Sequence, residues 1–317
     1  MNSNALSIAL TTRRCSRFLS RVGSLSVIWL AATVAYGQVA APVPGLFEGP
    51  VNGLQSDGNG GALMTVMGTT ITVPPTAAIT TPSATLTVAQ LLDPAPLPGR
   101  TQPGFLASTT ITEGSVNPAT GVFTTTEVFV EPAENVILGV VTENLAQLRV
   151  NGIPIVMLTD PRMPASPVHN DLGFEVNLAA VPVGAPASVN GYYSNDGSGL
   201  FYAFALEVAG VQAANPALQV SITRVVADPA ARSLEVRGGV SGLPAAGAVT
   251  VQIRAGNRVL GTVAAVRDPL LPGTASYRFR GVIPAPFPAS ITARVTAAGF
   301  PTVPRTRVAN SADTPTN

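Results

Sequence analysis

Two twelve-residue stretches of this chain share one pattern at an offset of 84 positions, and that repetition constrains the fold more than any other feature. "ALMTVMGTTITV" (62–73) places Met64, Val66, Gly68 and Ile71 where "AQLRVNGIPIVM" (146–157) places Leu148, Val150, Gly152 and Ile155. Each reads as a strand, a tight glycine turn and a second strand. A second correspondence closes both copies. "TGVFTTTEVFVEP" (120–132) matches "SGLFYAFALEVAG" (198–210), with Gly121, Phe123, Val128 and Val130 against Gly199, Phe201, Leu206 and Val208. Between the hairpins of the first copy, "TVAQLLD" (87–93) reads as a short helix capped by Thr87 or Ser83. Five strands with an intervening helix, twice over, predict two tandem OB-like small barrels, at 38–135 and 136–209. The first copy departs by a proline-rich insertion (Pro94 to Pro103) and by "NPATG" in place of the turn "SNDGSG".

Residues 1–37 read as an export signal. Arg13, Arg14, Arg17 and Arg21 precede an apolar run from Val22 to Val34, and "AYG" before Gln38 supplies the small residues that a signal peptidase needs. The apolar run is shorter than the roughly 20 residues a membrane span requires, so removal is expected rather than anchoring. The expected location is periplasmic or extracellular, by the general or the twin-arginine route. Cys15 lies before the apolar run, not after it, which argues against lipid anchoring. "LPGTA" (271–275) lacks the hydrophobic tail of a wall-sorting signal.

The signal also holds the only cysteine and the only tryptophan, Trp29. From Gln38 on there is no thiol, so disulfides, thiolate catalysis and cysteine metal sites are not expected. The chain has no lysine at all, which removes Schiff-base chemistry and a phosphate-loop lysine. Charge is sparse at 11% and the apolar share is 46%, a mixture that low-complexity coil could also show. The many short Val/Ile/Thr-rich runs between turn residues decide for an all-β chain. Residues 38–209 carry three arginines (Arg100, Arg149, Arg162) against thirteen acids, whereas 210–317 carry eleven arginines against four acids. An acidic piece is followed by a basic one.

The second copy resembles a family of secreted bacterial small-barrel domains of unknown function. Gly139, Val150, Gly152, Gly184, Val189, Gly191, Asp196, Gly197, Ala203 and Val208 carry that likeness, over about 70 residues. It implies fold and export. Since no activity is assigned to the family, it implies no chemistry.

"VNGYYSNDGSGLFYAFALEV" (189–208) concentrates aromatic rings in a chain otherwise short of them. Strict alternation sends Leu200, Tyr202, Phe204, Leu206 and Val208 to one face and Phe201, Ala203, Ala205 and Glu207 to the other. If the small alanines line the cramped barrel, the large face looks outward and needs a cover, either a ligand or a neighbouring domain. Tyr192, Tyr193, Phe201, Tyr202 and Phe204 are therefore candidate ligand-binding residues, with a glycan as the candidate ligand. The acidic balance argues against nucleic acid, whose phosphates need cations.

After a linker at 210–217, seven runs with the spacing of short strands fill 218–309, which predicts an immunoglobulin-like or fibronectin-like sandwich. A disordered tail is expected at 310–317. Arg278 and Arg280 of "YRFRG" share a face opposite Tyr277 and Phe279, and an arginine-lined sheet suits a polyanionic surface polymer. A solvated outer face is the blander account.

For catalysis the sequence offers little. His169 is the sole histidine and is expected in a loop beside Asp171, so zinc sites and Ser/His arrangements have at most one member. Glu127 with Glu131 and Glu134, or Asp160 with Asp171, could serve as glycosidase carboxylates. "SDGNGG" (56–61) and "SNDGSG" lack calcium-loop spacing and read as turns. No cofactor, metal or catalytic residue is assigned. The chain is expected to be a non-enzymatic binding or scaffolding protein, with a carboxylate-dependent polysaccharide hydrolase and a purely structural or adhesive module as alternatives.

Overall fold

The structure is a computed structural model that describes residues 41–228, 230–283, 286–297 and 302–308. The expected export signal at 1–37 and the expected tail at 310–317 lie outside the described residues. The fold is all-β, and the described residues divide into two compact units. One runs to Asp171 and includes Glu175–Val211; the other combines Leu172–Phe174 with the residues from Gln212 on.

The first unit holds two closed barrels. In the first barrel β1 (Val43–Ser56), β2 (Ala62–Val66), β3 (Thr69–Val73), β6 (Thr109–Val116) and β7 (Phe123–Glu131) run β3-β2-β1-β6-β7. Parallel pairing of Ile71 with Phe123 closes the ring. β1 serves two partners because a bulge between Val51 and Gly53 bends it: Val43–Pro50 pairs β6 and Val51–Ser56 pairs β2. Short strands β4 (Ala78–Thr80) and β5 (Thr85–Leu86) extend the sheet beside β7. Helix α1 (Val88–Leu92) follows, with Thr87 as its cap, and Gln90 completes the reciprocal capping pair. Leu91 of α1 is fully buried in the barrel core.

The second barrel repeats this plan with β8 (Asn135–Glu143), β9 (Arg149–Val150), β10 (Ile153–Met157), β12 (Pro186–Tyr193) and β13 (Phe201–Val208). Ile155 pairs in parallel with Phe201, as Ile71 does with Phe123. β11 (His169–Asn170) lies parallel to β13. His169 is thus in a short strand, where the sequence suggested a loop. The connectivity of both barrels is consistent with OB-like barrels.

The repeat is visible residue by residue. The two first hairpins turn through Met67-Gly68 (φ 48° and 79°) and Asn151-Gly152 (φ 50° and 78°), a left-handed pair suited to two-residue hairpins. All the matched apolar residues are buried: Met64, Val66 and Ile71 with Leu148, Val150 and Ile155; Phe123, Val128 and Val130 with Phe201, Leu206 and Val208.

The second unit is a two-sheet sandwich. One sheet contains β14 (Gln219–Val220), β15 (Arg224–Asp228), β16 (Ser233–Ser241), β19 (Val266–Arg267) and β20 (Ala275–Val282). The other is ordered β18 (Arg258–Ala264), β17 (Val249–Ala255), β21 (Ser290–Ala297), β22 (Val303–Val308). Inward residues of both, among them Val236, Tyr277, Val251 and Val295, make one core. Among the described residues the seven runs become nine strands because two of them bend. Ser221–Thr223 interrupts the first run, and at Ala265 the chain passes from the second sheet (β18) to the first (β19). Among the described residues, no helix is long and apolar enough to cross a membrane.

Candidate functional site

Strict alternation fails along β13, and the failure decides where its rings go. Gly191 pairs with Ala203 but Asn190 pairs with Ala205, so Phe204 is an extra residue, a β-bulge that reverses the in-out phase. Phe201, Ala203, Leu206 and Val208 therefore belong to the barrel core, whereas Ala205 is only half-buried. The first barrel has the same bulge at Thr126, between the pairs Gly114–Thr125 and Glu113–Glu127. This corrects the alternation read from sequence, which put Ala205 and Glu207 with Phe201 and left Leu206 and Val208 outside.

Phe201 fills the barrel interior, and Tyr193 is half-exposed. Tyr192 is 1% exposed and stacks on Tyr202 at 5.7 Å between centroids. Tyr202 and Phe204 are half-buried and pack with Tyr192, Leu158 and Met163 in a small cluster outside the main core.

The proline-rich insertion of the first barrel, which we call the strap, meets these rings. The Tyr192 hydroxyl donates to the Pro98 carbonyl at 2.8 Å. An ideal Cβ on Gly99 (φ +71°) would come within 2.1 Å of the Tyr202 ring, so glycine is required there. The amides of Asn195 and Asp196 donate to the Gly99 carbonyl, and Asn195 Oδ1 accepts from the Thr101 amide at 2.9 Å. Burial and the nearby Asp160 push the Tyr192 hydroxyl up, against the lowering pull of Arg100 and Arg162.

Beneath the strap lies an ion pair that sequence reasoning did not foresee. Arg162, with 4% of its side chain exposed, meets Asp160 through Nε (3.0 Å) and Nη2 (2.7 Å). Its Nη1 donates to the Ala95 carbonyl at 2.7 Å. Burial raises the Asp160 carboxyl, but the hydrogen bonds and charge of Arg162 outweigh this and hold it below its ordinary range. Asp160, a candidate glycosidase carboxylate by sequence, is engaged in this pair. The available signal was scarcity: the acidic region has only three arginines, and each has a local partner. Arg149 pairs with Glu143, and Arg100 donates to Ser108 and the Leu106 carbonyl.

The other candidate acids are dispersed over different roles. Glu127 pairs with Glu113 across β7 and β6 on the outside of the first barrel, Glu131 is buried at the end of β7, and Glu134 sits in the connection between barrels. Among the described residues, no group of three or more His, Cys, Asp or Glu side chains could hold a metal ion.

In the sandwich, Arg278 and Arg280 project from the outer face of β20 together with Arg237 of β16 and Arg224 of β15. Cross-strand register puts Arg224, Arg237 and Arg278 side by side, and Arg280 opposite Glu235. Glu235 gathers three of them, accepting from Nε of Arg237, from Nε and Nη2 of Arg278 (3.0 and 2.9 Å), and from Nε of Arg280 (2.6 Å). Burial raises the Glu235 carboxyl, but the hydrogen bonds from Arg237 and Arg280 prevail and hold it below its ordinary range. Like charges directly opposite in a sheet are destabilising, and Glu235 offsets that repulsion for Arg237 and Arg278. A depression of about 380 Å³ lies beside the row of arginines, lined in part by Thr223, Arg237, Ser276 and Arg278.

No protein-family model matches the chain, and no curated protein matches it.

Proposed function

We propose that this is an exported, non-enzymatic binding protein that recognises a polyanionic surface polymer through the arginine face of its C-terminal unit. In this reading the barrels are OB-like scaffold domains and the sandwich is immunoglobulin-like. The observation that supports it most is the face itself: four guanidinium groups (Arg224, Arg237, Arg278, Arg280), with Glu235 holding three of them chiefly by Nε. That arrangement engages Arg237 and Arg280 with Glu235 by Nε and not by their terminal amino groups, and guanidinium groups suit carboxylate, sulfate or phosphate partners. The carboxylates on the same face are Glu235 and, at the end of β15, Asp228. The aromatic rings of the second barrel are partly occupied by the strap, which makes the arginine face the better anchor for a free ligand.

The test uses dextran sulfate, with neutral dextran as control. A ligand engaging three arginines should lose affinity roughly fortyfold between 50 and 200 mM salt, taking the counterion-release slope of about −0.9 per contact known for a densely charged polymer. Arg237→Gln with Arg280→Gln should flatten that slope by about two. Binding that ignores salt and these arginines, or no binding at low salt, would sink the reading.

A further inference from the structure

The strap is held mostly by its main chain, with two side-chain contacts beside it: the Asp93 carboxylate meets Arg162 Nη1 at 3.6 Å and Gln102 Oε1 accepts from Asn195 at 2.7 Å. Arg162 Nη1 donates to the carbonyls of Asp93 (3.4 Å) and Ala95 (2.7 Å), and Nη2 to that of Pro96 (3.5 Å). Tyr192 then takes the Pro98 carbonyl, and the Asn195 and Asp196 amides take that of Gly99 at 2.9 and 3.3 Å. Five carbonyls between Asp93 and Gly99 are thus bound, and Asn195 adds a bond from the Thr101 amide and one to Gln102. Pro94, Pro96 and Pro98 alternate through this run. Proline fixes φ and leaves its carbonyl free, so such a segment loses little entropy on binding. Grooves for proline-rich ligands exploit this with aromatic walls and side-chain donors.

The donors are also held by the second barrel itself. Asp160 orients the Arg162 guanidinium from two residues away, and Tyr192 is braced by Tyr202. Neither support comes from the strap. We propose that Arg162, Tyr192, Tyr202 and Asn195 form a recognition site for an extended proline- and glycine-containing peptide, and that residues 93–102 are its resident ligand within the chain. This goes beyond the polyanion reading and does not rest on it. Specificity comes from the glycine that must lie flat on Tyr202 and from the spacing of the carbonyls. The strap is anchored on its other side by Leu97, which is buried in the first barrel's core.

The experiment measures fluorescence anisotropy of a labelled peptide with the sequence of residues 93–103, titrated with the full chain. In the unmodified chain the resident strap competes, so binding is weak. Gly99→Ala in the protein drives a methyl group into Tyr202 and dislodges the strap, and the peptide should then bind at least tenfold more tightly. Thr101→Pro is a second variant that leaves Gly99 in place and removes both the amide and the hydroxyl that donate to Asn195 Oδ1, and should give a smaller gain in the same direction. Circular dichroism checks that both are folded. A peptide carrying alanine at the position of Gly99, and a protein also carrying Tyr202→Ala, should both fail to bind. No saturable binding to either folded variant overturns the proposal, as does binding indifferent to the glycine in the peptide.

Discussion

Replacing Arg162 by alanine should destabilise the two-barrel unit by about 3–5 kcal/mol, the range for breaking one partner out of a buried ion pair. Three losses coincide. Asp160, with 11% of its side chain exposed, keeps a charge without its cation, the Ala95 carbonyl loses its 2.7 Å donor, and the cation over the Phe105 ring disappears. At about 2–4 °C per kcal/mol for a unit of this size, the calorimetric midpoint should fall by roughly 6–20 °C. The sandwich should melt where it did before. Asp160→Asn with Arg162→Met should recover part of the loss, because no buried charge then lacks a partner. A midpoint within 2 °C of the parent would mean that the pair is effectively solvated.

The same pair sets an acid limit. The folded-state pKa of Asp160 lies below its unfolded value of about 3.9, so its contribution is present above that value. It is lost as pH falls through the lower folded pKa. Between about pH 4 and pH 2 the parent should lose stability faster than Asp160→Asn, and equal slopes there would contradict the assignment.

Much of the barrel architecture was legible because hairpins announce themselves locally. Met67-Gly68 and Asn151-Gly152 carry the turn, and flanking alternation carries the strands. What was not legible is what depends on partners distant in sequence. The bulges at Thr126 and Phe204 arise opposite Gly114 and Gly191, and a one-residue shift of phase reverses which rings are covered. The strap looked like a departure from the repeat, yet it meets Tyr192 and Tyr202, two of the rings whose exposure the sequence left open. Asp160 and Arg162 looked like a candidate acid and an incidental cation because their meaning depends on carbonyls some 66 to 69 positions away. The arginine face was half-read: Arg278 and Arg280 share one strand and its period, but Arg237, Arg224 and Glu235 join them only through register.

Gly191→Ala should cost more than about 3 kcal/mol, well above an ordinary glycine substitution. An ideal Cβ there would lie 2.1 Å from the Tyr202 carbonyl oxygen, 2.7 Å from the Phe201 ring and 2.8 Å from Ala203 Cα. Two of the three obstacles are backbone, so no side-chain rotation relieves the clash, and β12 and β13 must separate at the bulge. Gly114→Ala should behave alike in the first barrel, where the Thr124 carbonyl oxygen stands at 2.1 Å. Gly197→Ala is the informative control: its φ is +84° but its Cβ would meet open space, so only the conformational cost of about 1–2 kcal/mol applies. Chemical unfolding of the three variants should therefore rank Gly197→Ala as the mildest, and the opposite order would refute a close approach at the bulges. The ranking bears on recognition as well as stability. Without the bulge, continuous alternation would turn Glu207 into the core with Phe201 and expel Leu206 and Val208, so the bulge opposite Gly191 lets β13 fill its barrel with these residues while Tyr202 meets the strap.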